Sequence, residues 1–237
     1  MPDMKAMRQI ADEYNIPLVV DAACAIGATY GEENFGLLAN LSVLSFNGNK
    51  TITCGGGGAV VGNNEKLLSH VRHLTTTARV WPDYDFDEVG FNYRMTNIQA
   101  AVGVAQMERL NSFIATKRKV RKYYEEQFDQ LRERDITFFP TTEGSSCWFS
   151  GIVLPEGAEL STAKEICARL KESGIEARSF WKPVHLQKPY KDCPVSCVTV
   201  AEGLWQRIIT LPCSTNIKEE ELAFVSEKII ETVGRVS

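Results

Sequence analysis

These 237 residues contain no uninterrupted apolar run long enough to span a bilayer, and the opening Met1-Pro2-Asp3-Met4-Lys5 lacks the apolar stretch of a signal peptide. The sequence therefore predicts no membrane partner and, by default, a cytoplasmic protein. Excess positive charge is missing too. The chain has 26 Lys and Arg against 30 Asp and Glu, a formal net charge of -4 that gives nucleic acid no general electrostatic footing. The seven cysteines (Cys24, Cys54, Cys147, Cys167, Cys193, Cys197 and Cys213) form no C-x-x-C. Their odd number and scattered spacing argue against a disulfide framework or a structural zinc site and predict reduced, mostly buried thiols. G-x-x-x-x-G-K-[ST] and G-x-G-x-x-G are both absent, so nucleotide hydrolysis and dinucleotide binding lose their main support. His70 and His73 share a helical face but have no carboxylate or cysteine at a metal-like spacing, so no metal is expected there.

What remains is an ordinary globular composition, 44% hydrophobic, arranged in alternating elements. Residues 4–14 read as an amphipathic helix with Met4, Met7, Ile10, Ala11 and Tyr14 on one face. A short apolar strand follows and ends at Asp21. Further strands are expected over 41–46 and 58–61. Only the Gly- and Asn-rich residues 47–57 separate that pair, too few for a parallel crossover, so it should be antiparallel. A helix from about 64 to 74, a polar aromatic loop over 81–86 and a long helical region over 97–134, broken near 111–112, come next. The remainder predicts strands at 136–139 and 148–154, a helix over 162–173 ended by Gly174, an extended stretch over 178–185 and a closing helix over 219–233. The basic run at 117–122 reads as a solvated helix face. Together these give an α/β class in two parts: 1–110 as part of a larger sheet domain, and 111–237 as a smaller α+β domain with the long connecting helix.

The first part is unusual, since three recognisable strands make a poor α/β core. Ligands gather beyond the carboxyl ends of strands in such sheets. Asp21 stands at one such end, and Ser45 and Lys50 follow the next. A lysine that is to form an imine must spend time as a neutral amine. A carboxylate facing a pyridine nitrogen keeps that nitrogen protonated and the ring a good electron sink. Spacing alone also allows Asp21 and Lys50 to be plain surface charges.

The runs Val20-Asp21-Ala22-Ala23, Ser45-Phe46-x-x-x-Lys50 with its glycines, and Gly90-Phe91-Asn92-Tyr93-Arg94-Met95-Thr96-Asn97 together resemble the DegT/StrS type of sugar aminotransferase. The similarity extends through 100–110 and 178–186 to the closing helix. It implies the fold-type I architecture of pyridoxal 5′-phosphate enzymes, with a partial large-domain sheet followed by a smaller α+β domain. By position, Lys50 would be the catalytic residue that holds the cofactor covalently and then shuttles a proton. Asp21 would face the pyridine nitrogen, Ser45 the phosphate, and Asn92 and Arg94 the phosphate of a neighbouring subunit, implying a homodimer with composite sites. The resemblance further implies a nucleotide-linked 4-keto-6-deoxy sugar as acceptor and an amino acid, glutamate, as donor. A dehydratase relative would carry His at position 50.

Two residues depart from the pattern. Cys24 stands where Gln, His or Glu is usual near the cofactor ring, and either alters its electronics or only packs. Gly56 replaces a frequent Glu. His185, in the stretch that resembles the family's substrate side, is a candidate substrate contact, with a structural role left open. Residues 72–78 resemble the subgroup acting on UDP-linked acetamido sugars, an ordinary helix end being the alternative. The family pattern also has a long segment ahead of the aspartate strand, with early sheet strands and a Gly-Thr helix start that grips the phosphate. This sequence does not contain it. The expectation is an open sheet edge and an exposed apolar face, and a second reading follows: a fragment or partner subunit without turnover of its own.

Overall fold

The computed structural model describes residues 2–236 and divides into two compact units. The first comprises residues 1–115 and 141–148, the second residues 116–140 and 149–237.

In the first unit Asp3 caps helix α1 (Met4–Glu13) by accepting the Ala6 N–H at 3.1 Å, and left-handed Asn15 ends the turn that follows it. Met4 and Ala11 are buried as the periodicity requires, but Met7, Ile10 and Tyr14 are exposed, Ile10 by 58%. The helix covers the sheet with a narrower stripe than its apolar pattern offers. Strand β1 (Val19–Asp21) leads to a small ribbon, β2 (Thr29–Tyr30) with β3 (Glu33–Asn34), then β4 (Leu41–Ser45) and β5 (Gly58–Val61). The three-stranded sheet runs β1-β4-β5, with β1 parallel and β5 antiparallel to β4. That antiparallel pair is the one the short intervening loop demanded.

One face of the sheet is packed. Val20 and Ser42 are buried, and Val20 joins Met4, Ala22, Ala28, Phe35 and Ala39 in a core cluster. The other face is open: Val19, Val43 and Val60 are exposed, and β1 has a strand partner on one side only. The expected edge and apolar face are therefore present.

Helix α2 (Glu65–Thr75) is capped by Asn64, whose side chain accepts the Leu67 N–H. Of residues 81–86, expected as a loop, 81–84 form the turn and 85–86 the second strand of a two-stranded ribbon of β6 (Arg79–Val80) and β7 (Asp85–Phe86). The Arg79 guanidinium pins it, donating to the Asp83 carbonyl at 2.7 Å and lying 3.8 Å from the Tyr84 ring centroid. Thr96 and Gln99 form a capping box that starts α3 (Asn97–Met107). The break before α4 (Leu110–Gln127) falls at residues 108–109, ahead of the expected 111–112.

The second unit holds the larger core. Strands β8 (Thr137–Phe138), β9 (Ser150–Val153), β10 (Arg178–Ser179) and β11 (Ile208–Leu211) form an antiparallel sheet in the order β10-β11-β9-β8. Helices α5 (Leu160–Glu172) and α7 (Glu219–Val236) pack together beside it, while the short α6 (Thr199–Leu204) buries nothing. Ile152, Ile166, Leu170, Ile209 and Ile229 form the centre. Gly174 ends α5 in the left-handed conformation (φ 77°). Its N–H bonds the Lys171 carbonyl and the Ile175 N–H the Leu170 carbonyl, the Schellman pattern. Tyr124 is fully buried and donates to the Pro212 carbonyl at 2.8 Å; burial pushes its phenol far above the usual range. No helix among the described residues is long and apolar enough to cross a membrane.

The basic run is only partly the solvated face expected: Arg118, Lys119 and Lys122 are exposed, whereas two of its members turn inward. Lys117 and Arg121 are only 7% and 6% exposed. Lys117 donates to the Cys213 carbonyl at 3.0 Å. Arg121 donates to the Phe139 carbonyl, pairs with Glu125 and lies over the Phe138 ring. Long cationic side chains bury their stems when carbonyls meet the charged ends.

Candidate active site

The parallel pairing of β1 and β4 sets Asp21 beside Val43, so the two strands finish at the same end of the sheet. Side chains alternate along a strand, which puts Asp21, Val43 and Ser45 on one face, the open one. Asp21 is exposed; one carboxylate oxygen accepts the Ala23 N–H at 3.0 Å, which fixes its direction as the chain turns away. The Ser45 hydroxyl accepts the Asn47 N–H at 3.3 Å.

The loop that follows is held at several points. Phe46 N–H bonds the Gly57 carbonyl, Cys54 N–H the Phe46 carbonyl and Lys50 N–H the Asn47 carbonyl. Ile52 is 1% exposed and plugs into a cluster with Ile26 and Phe113. Lys50, two residues earlier, is held half-buried at the rim. Its Nζ lies 3.0 Å from Cys24 Sγ and 4.3 Å from the centre of the Trp148 ring. Trp148 donates its indole N–H to the Asn49 carbonyl at 2.8 Å. Beside Lys50, the buried Thr51 hydroxyl has no hydrogen-bond partner.

Trp148 escaped the sequence reading, which absorbed it into the strand expected over 148–154. It lies ahead of β9 in a segment tied to the first unit by the bond from Thr29 N–H to the Gly144 carbonyl. The 99 residues separating Trp148 from Asn49 leave no local signal for this contact.

Asn92 and Arg94 are exposed and stand apart from this group, in a segment bonded to the end of α2. Phe91 N–H bonds the Leu74 carbonyl, Thr77 N–H the Phe91 carbonyl and Tyr93 N–H the Thr75 carbonyl. Gly90 lies so close to Thr77 that a Cβ there would meet the Thr77 carbonyl carbon at 2.2 Å. That approach is the local reason for glycine at the head of the motif.

His185 belongs to the second unit, where its Nε2 lies 2.8 Å from Glu202. His70 and His73 also have carboxylate partners that local spacing did not reveal. His73 Nε2 lies 2.6 Å from Asp87, and His70 Nε2 3.5 Å from Glu88. The hydrogen bond from His73 holds the Asp87 carboxyl below the usual carboxylate range. Two clefts in the second unit, of about 660 and 980 Å³, contain none of the candidate site residues in their walls.

The structure thus brings Cys24, Lys50 and Trp148 into contact and sets Asp21 and Ser45 at one sheet end. A primary amine, a carboxylate and a hydroxyl form a donor set that fits pyridoxal phosphate, offering partners for its aldehyde, ring nitrogen and phosphate. The unsatisfied Thr51 hydroxyl marks a polar group with bonding capacity to spare.

The model of the DegT/DnrJ/EryC1/StrS aminotransferase family matches residues 1–230. The GDP-perosamine synthase of Caulobacter vibrioides is 33% identical over 240 residues, covering 99% of this chain and 62% of that protein. A Campylobacter jejuni protein, UDP-4-amino-4,6-dideoxy-N-acetyl-beta-L-altrosamine transaminase, is 28% identical over 240 residues, covering 99% of this chain and 63% of its own. Spr1654 from Streptococcus pneumoniae, solved in its PLP form, superposes with a TM-score of 0.89 at 23% identity, over 100% of this chain and 66% of that one. The chain spans about three fifths of the length of the curated relatives it matches.

Proposed function

The chain belongs to the DegT/DnrJ/EryC1/StrS aminotransferase family, and from that premise we propose that it carries the lysine half of a pyridoxal-phosphate site in a nucleotide-sugar aminotransferase. The acceptor is a nucleotide-linked 4-keto-6-deoxy sugar, the donor an amino acid, glutamate, and the setting the cytoplasm. The single observation that carries the reading is the placement of the Lys50 amine, half-buried against Cys24 and the Trp148 ring beyond the strand ends of Asp21 and Ser45. Two relatives are named for GDP- and UDP-linked sugars, and one name carries a 4-amino-4,6-dideoxy sugar. An amino group set at C4 by amino transfer requires a keto group there beforehand.

Pyridoxal phosphate, when bound, supplies an aldehyde to carry the amino group and a ring to take up electrons from the substrate carbon. Lys50 would hold it and would move a proton at that carbon. Asp21 would keep the ring nitrogen protonated, and Ser45 would donate its hydroxyl to the phosphate. The outward-facing Asn92 and Arg94 suit the phosphate of a second copy, so the working form is a homodimer. His185, already engaged by Glu202, is kept as a substrate contact only through its remaining ring nitrogen. The test is Lys50→Ala in the full-length or reconstituted enzyme, with amino transfer to the keto sugar measured directly. Loss of at least a hundredfold is expected for a residue in proton transfer; unchanged transfer would refute the assignment.

The open sheet face favours one other reading, a partner subunit without turnover of its own. Val19, Val43 and Val60 are exposed together on that face. Turnover that requires a second polypeptide would support this reading, and turnover by the isolated chain would remove it.

A further inference from the structure

We propose that Cys24 and Lys50 form an oxidation site, in which a peroxide drives a covalent sulfur–nitrogen bond between the two side chains. The bond itself depends only on their geometry; its consequence for amino transfer rests on the function proposed above. Lys50 Nζ and Cys24 Sγ are already 3.0 Å apart. Both lie on anchored turns, with Ala25 N–H bonded to the Ala22 carbonyl and Lys50 N–H to the Asn47 carbonyl. The Trp148 ring covers another side of the amine, so Lys50 is held toward the sulfur. Cys24 is exposed, which gives a small peroxide access to it.

The chemistry balances in two steps. Cys24 sulfur attacks hydrogen peroxide, the O–O bond breaks, and the sulfur is oxidised by two electrons to sulfenic acid while one water leaves. The neutral Lys50 amine then attacks that sulfur. The S–N bond forms, the S–O bond breaks, and a second water carries away the hydroxyl and the amine proton. No further oxidant is needed. A thiol reductant reverses the link by attacking sulfur and releasing the amine.

Other cysteines serve as internal comparisons. Cys193 and Cys197 are exposed and, among the described residues, no hydrogen bond joins either sulfur to a lysine amine, so they oxidise without such a link. Cys213 has Lys117 Nζ at 3.8 Å, but that amine is buried and donates to the Cys213 carbonyl, and Cys213 itself is only half-exposed. Cys24 is the site where access and an adjacent amine coincide. Lys50 so linked cannot hold a carbonyl cofactor, which makes the pair a reversible stop on the residue the reaction needs.

The experiment treats the purified chain, without cofactor, with hydrogen peroxide, blocks remaining thiols and maps peptides by mass spectrometry. The expected product joins the peptides bearing Cys24 and Lys50, with a mass two hydrogens below their sum. It disappears after dithiothreitol and in both Cys24→Ser and Lys50→Arg; in Lys50→Arg, Cys24 is instead captured as a sulfenic acid by dimedone. Cys24 captured by dimedone in the wild-type chain with no linked peptide would overturn the proposal, as would Cys24 left unoxidised or linked to a different lysine. Because no cofactor or substrate takes part, failure here leaves the aminotransferase reading standing, and loss of that reading leaves the link intact.

Discussion

Gly90→Ala puts the structural account of the Gly90–Arg94 segment at risk. A Cβ at Gly90 would lie 2.2 Å from the Thr77 carbonyl carbon, 2.4 Å from Ala78 N and 2.6 Å from the Thr77 oxygen. Ordinary contact begins near 3.4 Å, so the methyl group falls about 1.2 Å short of the room it needs. The obstructing atoms are backbone and cannot rotate away. Thr77 and Ala78 are both left-handed, at φ 68° and 52°, and Ala78 is fully buried. The strand-like segment must therefore move off. That displacement lengthens the bonds from Thr77 N–H to Phe91 and from Phe91 N–H to Leu74, now 3.0 and 2.7 Å. Losing two such bonds, each worth about 1 kcal/mol, costs about 2 kcal/mol, and overpacking of a rigid site costs about 1–3 kcal/mol when judged alone. The expected total is about 2–3 kcal/mol, below the roughly 3–5 kcal/mol of a simple addition because the two effects share one displacement. Urea denaturation would give this difference, and amide hydrogen exchange would show faster opening at Thr77, Phe91 and Tyr93. Under the role proposed for Asn92, shifting it by about 1 Å costs up to about a hundredfold in rate. Wild-type protection at those three amides, with an unchanged midpoint, would refute the reasoning.

Trp148→Ala should destabilise the first unit by about 1–2.5 kcal/mol, combining a cation–π contact of about 0.5–1 kcal/mol between two half-buried side chains with an indole hydrogen bond of about 0.5–1.5 kcal/mol. Trp148→Phe keeps the ring over Lys50, loses the bond to Asn49 and should fall between the two in chemical denaturation. Burial pushes the Cys167 thiol up to about 11. Its folded value is raised, so its contribution to stability is intact below the ordinary thiol range and is lost as pH rises toward 11. Melting temperatures across pH 8–11 should fall less steeply in Cys167→Val, and iodoacetamide at mildly alkaline pH should modify Cys193 and Cys197 before Cys167.

What the sequence made legible was set by local rules. The short loop between 41–46 and 58–61 required an antiparallel pair, and β4 and β5 form one. Asp21, Ser45 and Lys50 could be placed because strand ends and loop length are local properties. The contacts around Lys50 could not, since Cys24 and Trp148 arrive from distant segments. Arg79 fixes the ribbon over 79–86 through one loop carbonyl and one ring, which no periodicity announces. Two members of the basic run were misread for a different reason. Phe113, Lys117, Val120, Arg121, Tyr124 and Phe128 fall at helical spacings of three and four, a buried stripe present in the sequence. Reading Lys117 and Arg121 by charge rather than by that stripe assigned them to solvent.

The most direct test of the Lys50 site is cofactor capture by the purified chain. Pyridoxal phosphate is added, the mixture is reduced with borohydride, and modified peptides are located by mass spectrometry. A stoichiometric adduct confined to Lys50, and lost in Lys50→Ala, is the predicted result. No adduct at Lys50, or labelling scattered over surface lysines, would contradict the account.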